Sequence, residues 1–215
     1  MEKLADRGNG NYAYVDSLLE ARKVLVEQMG ATLETIAKDV KIQVEFNPLK
    51  VEAYRLIGYE NRLLAAQDFD DDTKDAGEIG AGHAVTALYE IVPAGVGIEV
   101  PGVDPLRYQT PAQPSGAAYS DELFLLKLRY KQPDKDESTL IEVPAGDGGG
   151  SFHQASEDLR FAGAVAAFGM ALRGSRYAGA TTFDDVLGWA TAAAGDDTGG
   201  YRAQFLELVR KARDL

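Results

Sequence analysis

Six carboxylates crowd one short stretch of this chain: Asp68, Asp70, Asp71, Asp72, Asp75 and Glu78 lie within the eleven residues 68–78. Carboxylate oxygens at that density suit a hard cation such as Ca²⁺. Asp68, Asp70 and Asp72 match positions 1, 3 and 5 of an EF-hand loop. Thr73 then stands where such a loop needs glycine, and Ile79 where it needs glutamate. The first reading is therefore a solvated acidic loop whose aspartates cap strands through Asx turns. Asp70, Asp72 and Asp75 are the metal-ligand candidates of the alternative, a Ca²⁺-responsive binding module.

Other chemistries find less to work with. The two histidines, His83 and His153, have no neighbouring ligands at zinc-site spacing. No G-x-S-x-G elbow occurs, and Ser151 follows a run of glycines rather than a strand-to-helix turn. Gly77-Glu78-Ile79-Gly80-Ala81-Gly82 reverses the dinucleotide fingerprint, and its glutamate would repel a pyrophosphate. It reads as backbone that needs glycine. The chain has no cysteine, which excludes disulfides, thiolate metal sites and Cys nucleophiles. An enzyme assembled from distant loops around His83 and Glu78 stays as a further alternative; no catalytic residue is assigned.

The elements that must position these groups follow from composition and pattern. The chain has 215 residues, 45% of them hydrophobic and 26% charged, the balance of a folded protein. Its net charge of −12 argues against nucleic acid and against an anionic membrane surface. No apolar run approaches the roughly 18 residues of a membrane span.

Alternation at Val40, Ile42, Val44 and Phe46 predicts a strand ended by Asn47-Pro48. Further strands are expected at 51–59, 84–92, 122–130 and 138–143, with a proline-rich loop over 93–120. Short strands without long helical patterns between them suggest antiparallel pairing in a sandwich. From 155 onward the periodicity turns helical: one helix starts at Ser156, a second after Thr182 and a third at about Gly200. Residues 147–154 form a glycine-rich linker. At the front, a strand is expected at 11–15 and a helix over 17–29 closed by Gly30, with an apolar face that one strand and one helix cannot bury.

These front residues carry a resemblance. Gly8-Asn9-Gly10-Asn11-Tyr12-Ala13-Tyr14-Val15-Asp16 and Glu20-Ala21-Arg22-Lys23-Val24-Leu25-Val26 resemble the last strand and helix of a bacterial von Willebrand factor A domain. Residues 37–48, Tyr54–Arg62, Asp75–His83 and Thr86–Pro93 resemble the segment that follows that domain in proteins of the YfbK type. The resemblance implies a cell-envelope protein with a C-terminal domain of unknown function. It implies Mg²⁺ only in the A domain, at a D-x-S-x-S motif that this chain lacks. No cofactor is expected here.

The expected fold is α+β: an A-domain remnant at 1–32, a β-sandwich-like domain at 33–146, the linker at 147–154 and a helical subdomain at 155–215. The expected function is a non-catalytic protein-interaction or scaffold module of the bacterial cell envelope. Its partner would be a protein, with no nucleic acid and no membrane insertion by this chain.

Overall fold

The alternation read at Val40–Phe46 belongs to a longer strand, β1 (Thr35–Phe46). A computed structural model describes residues 12–59, 63–74, 76–96 and 113–215. After β1 come β2 (Val51–Ile57), β3 (Gly77–Gly80), β4 (Leu88–Pro93), β5 (Glu122–Lys131) and β6 (Ser138–Gly146). Four strands form one sheet in the order β3-β1-β5-β6, and β2 pairs with β4 in a second. The pairs β1–β3, β1–β5 and β5–β6 are antiparallel. With the helices below, the fold is α+β.

The chain divides into two compact units. The first takes its described residues from Met1–Tyr54, Tyr59–Val85 and Ile91–Asp147, and the second from Arg55–Gly58, Thr86–Glu90 and Gly148–Leu215.

In the first unit, register decides which side chains share a face. Ile42 lies opposite Leu128, which lies opposite Ile141; Val44, Leu126 and Val143 form the next row, and Phe46, Phe124 and Ala145 the third. Paired residues project to the same side, so these nine make one apolar face. Lys41 and Arg129, also paired, project to the opposite face. Asn47, buried at the end of β1, donates through Nδ2 to the carbonyls of Ala118 and Glu122, both at 2.9 Å. That satisfies an amide which burial would otherwise penalise.

Several expectations at the front are corrected. Residues 12–15 form no strand, and Asn11 lies outside the described residues. The expected single helix is broken: α1 (Leu18–Arg22), capped by the Ser17 hydroxyl, passes into a π-turn at Lys23–Glu27. A second short helix, α2 (Met29–Leu33), then runs through Gly30, which was expected to end the segment. No residue from Leu18 to Glu27 is buried, so the helix rests on propensity, the Ser17 cap and the Glu20–Lys23 ion pair, and β-branched Val24 and Val26 weaken it. β3 lies where only backbone that needs glycine was expected, and neither Gly77 nor Gly80 has a positive φ. The strand expected at 84–92 begins at Leu88 and the one at 51–59 stops at Ile57, before Gly58 and Tyr59 turn left-handed (φ 78° and 59°).

The second unit is built on α3 (Glu157–Leu172), α4 (Phe183–Ala192) and α5 (Tyr201–Arg213). Ser156 caps α3, and Thr182 with Asp185 forms a capping box for α4. Its core joins Ala164 and Phe168 of α3, Val186 and Ala190 of α4, and Leu206 and Val209 of α5. Phe168 meets Phe205 nearly edge-on at 5.4 Å between centroids, a favoured aromatic geometry. Within the glycine-rich 147–154 stretch, Phe152–Gln154 form a capped turn, and the Phe152 ring packs edge-to-face on Trp189 at 5.8 Å.

Candidate functional site

A bulge in β1 sets the geometry of the acidic loop. Lys38 pairs with Lys131 and Lys41 with Arg129, so two residues of β1 oppose one of β5. Asp39 sits in this bulge with φ 52°, a left-handed conformation that aspartate tolerates better than most residues. Its carboxylate accepts from the Lys131 ammonium at 2.7 Å and from the Ala76 amide at 3.3 Å.

Two lysines then hold the loop by its main chain. The Lys41 ammonium donates to the carbonyl oxygen of Asp68 at 3.2 Å and to that of Asp71. Lys131 donates to the carbonyl of Asp72 at 2.7 Å. Both lysines are buried, and a buried ammonium needs such acceptors. Arg129 pairs with the Asp70 carboxylate at 2.7 Å and lies 5.6 Å from the buried Phe69 ring. Phe69 is thus the loop's apolar anchor.

The carboxyl protonation equilibria follow these contacts. Asp71 is held below the ordinary 3.8 by hydrogen bonds from the Thr73 hydroxyl and amide. Asp72 is lowered by Ser138, whose amide lies 3.4 Å away. The hydrogen bond to Asp39 raises Lys131 above its ordinary 10.5, against the opposing effect of burial.

The structure therefore places Asp70 against Arg129 and Asp72 against Ser138; Asp75 lies outside the described residues. Among the described residues, no group of three or more His, Asp or Glu side chains is arranged to hold a metal ion. Asp39, Asp72, Glu78, Lys38, Lys131 and Asp136 line an open polar cleft of about 260 Å³. His83 is not part of that lining. The mixed charges suit internal neutralisation more than the capture of one anion or cation.

The second unit has an open apolar groove of about 400 Å³, whose walls include Ile57, Leu88, Ala162, Val165, Ala166 and Gly169. Beside it, Arg55 pairs with Glu90 and stacks over Tyr177 at 4.1 Å. The first unit exposes apolar side chains on its front helices: Leu18 is 87% accessible, Leu33 77%, Leu25 66% and Val26 64%. Side chains of that size are usually covered in a finished assembly when they cluster.

A family described as "Uncharacterized protein YfbK, C-terminal" matches residues 31–215. The chain belongs to this family. A relative, "Uncharacterized protein YfbK" of Escherichia coli (strain K12), is 45% identical over 212 residues, 99% of this chain. The chain spans only 36% of that relative's length. No solved structure matches it. The match places the acidic loop, the polar cleft and all three long helices inside the YfbK C-terminal region, while residues 1–30 precede it.

Sequence reasoning marked the aspartates of this YfbK-family loop but not Lys41, Lys131 and Arg129, which organise it. The available signal was the strand alternation: Lys41 follows Val40 and precedes Ile42, which puts it on the face opposite the apolar residues. A lysine there ordinarily reads as solvent-facing, and only the bulge and the loop's position reveal its burial.

Proposed function

We propose that this chain is a non-catalytic protein-interaction or scaffold module of a bacterial cell-envelope protein. The observation that carries the reading is the set of exposed apolar side chains on the front helices, Leu18, Leu25, Val26 and Leu33. Water-exposed leucines in one short segment contribute nothing to this chain's own core, and burial against another protein surface would stabilise them by about 25 cal/mol per Å². The charged loop supports the non-catalytic part, because its buried cations are engaged in holding the backbone.

In this reading, residues 1–32 are the end of a preceding von Willebrand factor A domain that leaves Leu18, Leu25 and Val26 to the partner, and 33–146 form a sandwich-like domain that positions it. The glycine-rich 147–154 stretch joins that domain to the helical subdomain at 155–215. Mg²⁺ chemistry belongs to the preceding domain and no cofactor to this chain. The partner is a protein, without nucleic acid or direct membrane insertion.

The test is a pair of surface variants, Leu18→Glu and Leu25→Glu. Both should leave the melting midpoint of this chain unchanged and abolish crosslinking to a protein partner from the same face. Reproducible hydrolase turnover lost on a single change of Ser, His or Asp would overturn the reading. A rise in melting midpoint with Ca²⁺, lost on changing Asp70, Asp72 and Asp75 to Ala, would replace it with the calcium-responsive module.

A further inference from the structure

The open edge of β6 carries a more specific inference, which rests on the protein-interaction reading and names a partner chemistry for it. β6 ends the four-stranded sheet, and among the described residues no strand pairs with its outer edge. It is nine residues long, and all six residues from Thr139 to Pro144 are exposed. An edge of that length usually carries an inward charge, a lysine or a very short strand to prevent pairing with another chain. β6 has no lysine; Pro144, which lacks an N–H, blocks one end, and Glu142 is the single charge on the strand, one that repels acidic chains and admits basic ones.

The inner edge of β6 is fixed by a ladder with β5 that is regular from Phe124–Ala145 to Lys131–Ser138. The outer edge is therefore a firm template rather than a fraying strand. Its two faces differ in chemistry. Ile141 and Val143, 41% and 48% exposed, extend the apolar face of the sheet, whereas Leu140 and Glu142 lie on the opposite face with Arg129 and Lys127. The adjoining hairpin adds exposed Asp134, Asp136 and Glu137 against one Lys135.

We infer that β6 accepts an extended peptide strand of a basic partner, in which apolar residues alternate with Lys or Arg. The apolar residues continue the rows of Ile141 and Val143, and the cations meet Glu142 and the acidic hairpin. Main-chain hydrogen bonds supply affinity, and the alternating side chains supply selection. Charge decides against a second copy of this chain, which would bring the same acidic edge and a further net charge of −12.

The probe is a fluorophore-tagged peptide of alternating Val and Lys, mixed with the full chain. Expected are saturable binding and amide exchange slowed about tenfold or more across residues 138–143, as strand pairing requires. Methylating the peptide's backbone nitrogens keeps its charge but removes its ladder donors, and should weaken binding by about tenfold or more. Replacing its lysines with glutamates, or making Glu142→Lys in the protein, should weaken it as well. No protection at 138–143, or binding indifferent to N-methylation, overturns the inference; so does self-association that protects β6 without peptide. Loss of this edge with partner crosslinking from Leu25 retained would discard the β6 site alone and leave the interaction reading standing.

Discussion

Lys131 and Asp39 form a largely buried ion pair, Nζ to Oδ2 2.7 Å, with side chains only 10% and 17% exposed. The pair exists because the bulge in β1 turns Asp39 toward β5, and the same ammonium reaches the carbonyl of Asp72. One cation thus joins two strands to the acidic loop, and Lys41 adds a second tie through the carbonyls of Asp68 and Asp71. The loop's order is bound to lysines of the sheet.

Removing either ammonium leaves carbonyl oxygens without their donor. Lys41→Met should destabilise the first unit by about 2 kcal/mol, the scale of a charged hydrogen bond broken in a buried setting, and Lys131→Met by about 3 kcal/mol, because it also strands the Asp39 carboxylate. Urea unfolding followed by circular dichroism measures the loss. Limited proteolysis should cut near residues 68–74 faster in both variants.

The pH dependence has a worked sign at each end. Asp71 and Asp72 are lowered in the folded state, so their contribution is complete above the ordinary 3.8 and disappears as pH falls through the depressed values. Lys131 is raised, so its contribution is complete below 10.5 and disappears as pH rises through the elevated value. Unfolding measured against pH should show a plateau between these limits. Asp72→Asn should flatten the acid limb and Lys131→Met the alkaline one.

Trp189 reports on the 152–154 turn. A β-carbon added at Gly163 would stand 3.0 Å from the Phe152 ring, so the ring must give way by a few tenths of an ångström. Phe152 is 39% exposed and sits on a short turn, so it can make that shift and loosen its contact with Trp189. Gly163→Ala should then red-shift Trp189 emission, while helix propensity offsets the lost contact and stability changes by less than about 1 kcal/mol.

The helical core has no such give. Val186 and Val209 are fully enclosed among Phe168, Ala190 and Leu206. Val186→Ala or Val209→Ala should cost about 2 kcal/mol through lost burial and the cavity left behind. Trp189 fluorescence in a urea titration measures the shift.

How much of this was legible in the sequence depends on the range of the interactions. α3, α4 and α5 were readable because Ser156 and Thr182 cap locally and apolar periodicity repeats within each helix. β1 was readable from its alternation, and β5 from its run of leucines with Phe124. β3 was not, because Gly77 and Gly80 give no strand signal and only pairing with β1 makes it one. The front helix misled for the opposite reason: its local pattern is sound, but no residue of α1 or of the π-turn after it is buried, and the helix breaks. At the loop, the aspartates were visible while Lys41 and Lys131 stand some 30 and 60 positions away in sequence. Only the sheet brings them there.

The interaction reading turns on whether the front apolar face meets a protein. A photoreactive residue placed at Leu25 should give one discrete protein adduct in cells, whereas the same residue at Arg22, on a charged and exposed position, should give none. The adduct should also disappear in the Leu18→Glu background. Equal crosslinking from both positions, or none from Leu25 in a folded chain, would contradict a docking role for this face.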